Sequence, residues 1–526
     1  MINSHFIRYI GRHASSYLRF WTVVSLIYSL TVITAELSSL PMNGLRSCVM
    51  VAGQWLMIAV CSWGLIGLMS LSKRVFALLF TPFLVLSAVI AFFSVTIGTG
   101  LTATTIEIAL VNDVAMWSTM LSPGLVLTVI IALMAGVAAP VVRWKRVVSP
   151  TGRMGLWLFL IFAIVSSLPL VAPSRVANAI GARMPYSIYF GLRDYLANRH
   201  EILTERHAFD GIPAVAPADA PDVIVVLGES LRADHLPMNG YERNTMPNIS
   251  NDTSVISFPN IKGHAFYTHT AVPLIFTRAR GRDFECAYEE PSFITLFNKA
   301  GFNTAWFANQ DLGSSYAYFA HEADTLAYTN ASRSLYVYSD WLDTDLLQPV
   351  GEWLRCNTRQ EGASMAVIHT IGSHWWYKSH YTGDDARFLP DTHSKDIGSL
   401  TNEQIINAYD NTIVATDRFL AALFTMLRSR NVVVVFISDH GEALGEDGLY
   451  LHGVDHESIH HPACLVWTSP EFGRRYPHKV EAMKASRLKD ATTDVIFHTV
   501  LDAGGIFTPI FDSSLSLMHN EADSMD

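Results

Sequence analysis

A five-helix transmembrane bundle followed by an α/β domain with a mostly parallel, helix-covered central sheet is the architecture this sequence predicts. Three observations carry the prediction. The first 174 residues hold five long apolar stretches. From residue 176 onward the composition is that of an ordinary soluble chain. Within that second half, short β-branched runs alternate with helical patterns. The whole-chain average, 50% hydrophobic and 16% charged, thus mixes two solvents, since a soluble domain alone carries about 25% charged residues. The net charge of -10 and the lack of a basic helix argue against a nucleic-acid partner.

The apolar stretches run over roughly 20–40, 47–71, 75–98, 120–142 and 155–174. Each is long enough to cross a hydrocarbon core of about 30 Å. The first is preceded by a long lead and lacks a small-residue cleavage site, so it reads as a retained span. Arg8, Arg12 and Arg19 precede span one, Lys73 and Arg74 separate spans two and three, and Arg143, Lys145, Arg146 and Arg153 separate spans four and five. The alternate loops carry only Arg46. Basic loops stay in the cytoplasm, so an odd number of spans puts everything after about residue 175 outside. The expected division is a membrane domain over 1–174, a bridge over 175–218 and a soluble domain over 219–526. The bridge mixes apolar, aromatic and basic residues at helical spacing. It either lies on the membrane surface or packs as a connecting helix on the soluble domain. The Pro/Ala-rich run 210–221 ends it.

In the soluble half, "DVIVVL" (222–227), "NTAWFAN" (303–309), "SMAVIHT" (364–370), "NVVVVFIS" (431–438) and "ACLVWT" (463–468) read as buried strands. Helical patterns at 292–301 and 401–430 lie between them. In such sheets functional groups gather past the C-terminal ends of the strands. The first strand is followed by Glu229, the third by His374, and the fourth by Asp439, His440 and Glu442.

"SDHGE" (438–442) is the sharpest element. Adjacent Asp439 and His440 after a buried strand, with a turn at Gly441, can direct a carboxylate and an imidazole into one site. With Glu229 they form an O/N donor set for zinc or a similar divalent ion. The five cysteines contain no CxxC pair, so no thiolate site holds it closed, and a site of this kind suits catalysis. A metal activates a hydroxyl nucleophile. Between Glu229 and Asp439, "GHAFYTHTAVPLIF" (263–276) places hydroxyl residues before an apolar helix, where backbone N–H groups favour phosphate. Thr270 is the candidate nucleophile and Thr268 its rival. His374 and His452 are candidates to bind phosphate, a second metal or the leaving oxygen. His460 and His461 precede the last strand and are further candidates.

The runs "VIVVLGESLRADHLPMNGYERNTMPN" (223–248), "THTAVP" (268–273), "AGFNTAWFANQ" (300–310), "IHTIGSH" (368–374), "SDHGEALGEDGLYLHG" (438–453) and "IHHPACLVW" (459–467) cover nearly the whole soluble half. On these residues the chain resembles the bacterial phosphoethanolamine transferases of the alkaline phosphatase and sulfatase superfamily, whose five-span anchor it also shares. The resemblance implies an alkaline-phosphatase-like domain in the periplasm, anchored in the inner membrane. It implies zinc held by Glu229, Thr270, Asp439 and His440, with Thr270 becoming phosphorylated. It puts His374 and His452 near the phosphoryl group and Asn309 near the donor head group. Family members often frame the threonine as T-x-T-A-x-S-V-P between two cysteines. Here "THTAVP" is two residues shorter and has no flanking cysteine, and the alignment adopted sets Thr270 rather than Thr268 at the site. The outer loop 99–119, with Glu107, Asn112 and Asp113, loosely resembles the family's lipid-contacting loop.

The activity implied is transfer of phosphoethanolamine from phosphatidylethanolamine to a cell-envelope acceptor, whether lipid A, a core sugar or another glycan, through a phospho-threonine. A phosphoglycerol transferase of the same superfamily and a non-enzymatic glycan- or partner-binding membrane protein are the alternatives. A sulfatase activity calls for a C/S-x-P-x-R motif, which "HTAVPLIF" lacks.

Overall fold

The computed structural model describes residues 4–38, 45–97, 100–102, 105–106, 109–110, 120–150, 152–171, 180–181, 183–198, 206–309, 317–329, 342–357 and 362–519. Glu107, Asn112 and Asp113, together with 175–179 and 199–205 of the bridge, lie outside the described residues.

Among the described residues, five helices are long and apolar enough to cross a membrane: Ser16–Ser38, Cys48–Leu71, Lys73–Thr96, Pro123–Arg146 and Gly152–Val171. The third and fourth spans pack on each other, as do the second and fifth. Small residues permit these close crossings. The Thr81 hydroxyl donates to the Gly136 carbonyl at 2.7 Å, and a Cβ on Gly136 would stand 3.1 Å from Thr81 Cγ2. A Cβ on Gly67 would stand 2.6 Å from the Phe162 ring. At the basic end, buried Arg143 donates to the carbonyls of Ser70, Leu71 and Val147 and so ties spans two and four together.

The described part of the bridge packs on the membrane bundle. The Met184 N–H donates to both oxygens of Glu36, at 3.0 and 3.2 Å. The Tyr186 hydroxyl donates to the carbonyls of Cys61 and Ser166. Helix Tyr186–Asn198 follows, with Ile188 and Phe190 against the bundle and Tyr189, Leu192 and Leu196 exposed.

The soluble half is built on a seven-stranded sheet. Its strands are β1 (Asp222–Gly228), β2 (Val255–Ser257), β3 (Asn303–Ala308), β4 (Thr325–Tyr328), β5 (Ser364–His369), β6 (Val432–Ser438) and β7 (Cys464–Thr468). The order is β2-β7-β6-β1-β5-β3-β4. Only β7 runs against its neighbours. β1, β5 and β6 are buried along their full length, which is why they read as continuous apolar runs rather than alternating ones. Side chains still alternate between the two faces. Val223, Val225 and Leu227 enter one core with helices Thr268–Phe276, Phe293–Lys299 and Val495–Gly504. Ile224 and Val226 enter the other with helices Leu347–Cys356 and Asn402–Leu427. The longest of these helices starts at a capping box, in which Thr401 and Gln404 satisfy each other's N–H groups.

Candidate metal centre and active site

Strand register assembles the first carboxylate pair. Gly228 of β1 lies beside Ser438 of the parallel β6, so the next residues, Glu229 and Asp439, leave the same sheet edge side by side. Both are about 1% exposed. β5 flanks β1 on the other side, and the 370–374 turn folds back over Glu229, with the Ser373 N–H donating to the Glu229 carbonyl at 3.0 Å. Gly372 makes that approach possible. Its φ is +49°, and a Cβ there would stand 2.8 Å from the Glu229 carbonyl oxygen.

Asp439 Oδ1 accepts the N–H groups of Ser230 (3.0 Å) and His440 (2.7 Å). Asp439 Oδ2 is buried and, among the described residues, has no hydrogen-bond donor. His440 Nδ1 lies 2.7 Å from the Gly441 carbonyl. A carbonyl only accepts, so Nδ1 carries the proton and Nε2 presents a lone pair. That Nε2 stands 3.2 Å from Asp439 Oδ2 and 3.6 Å from Glu229 Oε1.

Thr268 completes this group. It is the first residue of helix Thr268–Phe276, and its hydroxyl donates to Glu229 Oε2 at 3.2 Å and lies 3.4 Å from His440 Nε2. Thr270, the residue preferred from sequence, turns elsewhere: its hydroxyl donates to the Tyr267 carbonyl at 3.2 Å. Two positions along a helix rotate a side chain by about 200°, so only one of the two threonines faces the cluster, and it is Thr268.

His452 and His374 form the other side. The His452 ring centroid lies 4.6 Å from that of His440 and 5.4 Å from that of His374. His374 Nδ1 is held by the Trp375 carbonyl. Its pKa falls well below the usual imidazole value because it is buried and faces His452. Burial also lowers His452, but its hydrogen bond to Glu442 and the charges of Glu442, Glu229 and Asp439 outweigh this and push it up to about 9. Glu442 is the site residue that sequence reasoning named but did not select. Fully buried, it accepts from the Tyr377 hydroxyl at 2.7 Å and holds His452 Nδ1 at 3.0 Å. Its place in the "SDHGE" run was the available signal. His269, in the same helix as Thr268, is buried, and burial together with the charge of His452 lowers its pKa to about 4.

Asn309 does not enter the cluster. Its amide donates to Asp343 at 2.9 Å and accepts from Thr329 at 2.8 Å. Asp343 in turn accepts the N–H groups of Ile371 and Gly372, so this pair braces the turn that leads to His374. His460 and His461 bond to Asp455 and Glu457 at the surface.

The donor set fits a divalent cation. Ligating atoms of Glu229, Asp439 and His440 lie within 4.8 Å of one another, as do those of Glu229, His374 and His452 and those of His440, Glu442 and His452. Two buried carboxylates, an imidazole lone pair and a hydroxyl converge, and the bare Asp439 Oδ2 is the atom a cation would satisfy. Cys286, Cys356 and Cys464 are all free thiols.

A mostly parallel sheet with an acidic and histidine-lined edge, carried on five membrane helices, defines the alkaline-phosphatase type of α/β domain in a membrane-anchored form. The sulfatase family model matches residues 221–506, and the chain belongs to that family. It is 28% identical over 307 residues to phosphoethanolamine transferase EptA of Escherichia coli (strain K12), a match covering 55% of this chain and 54% of that one. The match thus spans about half the length of that curated relative. The solved integral membrane protein lipooligosaccharide phosphoethanolamine transferase A (EptA) of Neisseria meningitidis superposes with a TM-score of 0.79 at 21% identity, over 95% of this chain and 98% of its own. The periplasmic domain of EcEptC from Escherichia coli, solved in complex with Zn, superposes with a TM-score of 0.52 at 21% identity, over 59% of this chain and 90% of its own. With five spans and its basic residues on the loops that stay in the cytoplasm, the protein resides in the inner membrane with its sulfatase-type domain in the periplasm.

Proposed function

We propose that this protein transfers phosphoethanolamine from phosphatidylethanolamine to a hydroxyl or phosphate of an envelope acceptor of the lipid A or glycan type, through a covalent intermediate on Thr268. The observation that carries this reading is the Thr268 hydroxyl at a helix N-terminus, in contact with both Glu229 and His440. The name of the Escherichia coli relative supports the head group. In this reading residues 1–174 anchor the protein, 175–218 connect, and 219–526 carry the chemistry.

Glu229, Asp439, His440 and Thr268 would hold zinc. When bound, the ion lowers the pKa of the threonine hydroxyl and neutralises charge on the phosphoryl oxygens. Glu229, the acceptor of the Thr268 hydroxyl hydrogen bond, orients that oxygen toward phosphorus. Thr268 Oγ1 gives its proton to Glu229 Oε2 and forms the new P–O bond as the diacylglycerol oxygen leaves. His452, fixed through Nδ1 by Glu442, has Nε2 to give the leaving oxygen its proton. In the second half the acceptor hydroxyl gives its proton to His452, attacks phosphorus and releases Thr268, which takes its proton back from Glu229. The N-terminus of the Thr268 helix favours the phosphoryl charge.

The test is release of diacylglycerol from phosphatidylethanolamine in vesicles, with the purified full-length protein and zinc. The wild type should release it, and Thr268→Ala should not. Equal release by both proteins refutes the reading. Release from phosphatidylglycerol instead moves the assignment to the phosphoglycerol class.

A further inference from the structure

Among the described residues, the catalytic domain contacts the outer ends of two membrane spans outside the site. On the membrane side are the outer ends of spans three and four: Thr96, Ile97, Met120, Ser122 and Gly124. On the other side are the 396–398 turn and Tyr450. The Tyr450 N–H donates to the Ile97 carbonyl at 3.4 Å. Ile97 and Met120 pack against the apolar core on the face that carries helix Asn402–Leu427. Asp396 Oδ2 stands 2.6 Å from where a Cβ on Gly124 would sit. That glycine is in the first turn of span four, after the Ser122 cap, where unpaired N–H groups attract a carboxylate. Asp396 Oδ1 is buried with no hydrogen-bond partner among the described residues. A carboxylate set against glycine at a helix start is a fit that any larger residue at 124 would break.

The contact lies close to the site along the chain. Tyr450 and Leu451 pair with Ala443 and Leu444, the strand that follows Glu442, and the Tyr450 hydroxyl donates to Asn402 at 2.6 Å. Leu451 takes the left-handed conformation, with φ +64°, and His452 follows directly. The chain thus passes from a bond with span three to a site histidine in two residues.

We propose that this contact is a dock that sets the reach of the site to a lipid head group, with Asp396 as its positioning residue. The proposal rests on the lipid-donor reading above. The dock governs delivery of a bilayer substrate and leaves the bond-breaking chemistry untouched.

A Cβ on Gly398 would lie 3.8 Å from the Thr96 Cβ, the spacing typical of a disulfide. In the full-length protein in phosphatidylethanolamine vesicles, the Thr96→Cys, Gly398→Cys pair should cross-link on mild oxidation, read by mapping the linked peptide. The linked protein should release diacylglycerol at wild-type rate. Asp396→Lys and Gly124→Val should each lower that release at least about tenfold, while hydrolysis of water-soluble p-nitrophenyl phosphoethanolamine stays within about twofold of wild type. Equal loss of both substrates in both variants, loss of neither, or a cross-linked protein that is inactive until reduced overturns the proposal. If the wild type cleaves neither substrate, the lipid-donor reading fails. The cross-link yield still decides the dock, because its absence refutes the contact whatever the activity.

Discussion

Thr268 and Thr270 sit on one helix, two residues apart, and the site uses one face of that helix. That a hydroxyl of "THTAVP" stands at the cluster was legible, but which of the two was not. A family pattern two residues longer can be aligned from either end, and only counting back from Pro273 puts its second threonine on Thr268. Accordingly, Thr268→Ala should lower transfer by at least about a thousandfold, as loss of a nucleophile does, while Thr270→Val should stay within a few fold in the same vesicle assay. Glu442 carries the second residue-scale prediction. Glu442→Gln keeps the shape but weakens the hold on His452, and should cost about 10–100-fold in activity, with folded-state circular dichroism unchanged. The third concerns pH. His498 is buried, accepts the Asp512 N–H, and is pushed down from its usual 6.5 to about 4, chiefly by burial. The folded form therefore holds it neutral while the unfolded chain takes a proton. Its stabilisation is full above about pH 6.5 and is lost as pH falls toward 4, by up to about 3 kcal/mol. His498→Asn, which keeps an acceptor, should flatten that part of the urea-denaturation profile. An unchanged slope would remove His498 from the account.

At the scale of elements, the strands were legible because burial on both faces demands uninterrupted apolar, β-branched sequence. β1, β3, β5, β6 and β7 fall on their expected runs. The antiparallel direction of β7 was not legible, since nothing in "ACLVWT" differs from a parallel strand. β2 and β4, three and four residues long, lack the length to declare themselves. Asn309 was set near the donor head group by the resemblance alone. It follows β3, two strands from β1, and its amide braces the 370–374 turn through Asp343. That turn depends on Gly372. Gly372→Ala combines a positive φ with contact against Glu229, and should lower stability by about 1–3 kcal/mol and displace His374. Thermal unfolding and the transfer rate should fall together, whereas a silent substitution would show that the turn can give way.

For the whole molecule, five spans and a soluble domain were readable from charge and apolarity alone, because lipid and water impose different compositions. The seating of one domain on the other was not, since Asp396 against Gly124 has no periodic signal. The proposed metal belongs to this scale because a bound ion would add to the stability of the folded state. With zinc at about 100 times its Kd, the ion would contribute about 2.7 kcal/mol. Chelation should therefore lower the Tm of the wild type but leave Asp439→Asn unchanged. The central claim is that Thr268 is the residue that takes up phosphoethanolamine. The most direct measurement is peptide mapping by mass spectrometry after incubation with zinc and phosphatidylethanolamine, without acceptor. A phosphoethanolamine adduct on Thr268 is the predicted result. An adduct on Thr270, or diacylglycerol release with no adduct on either threonine, would contradict it.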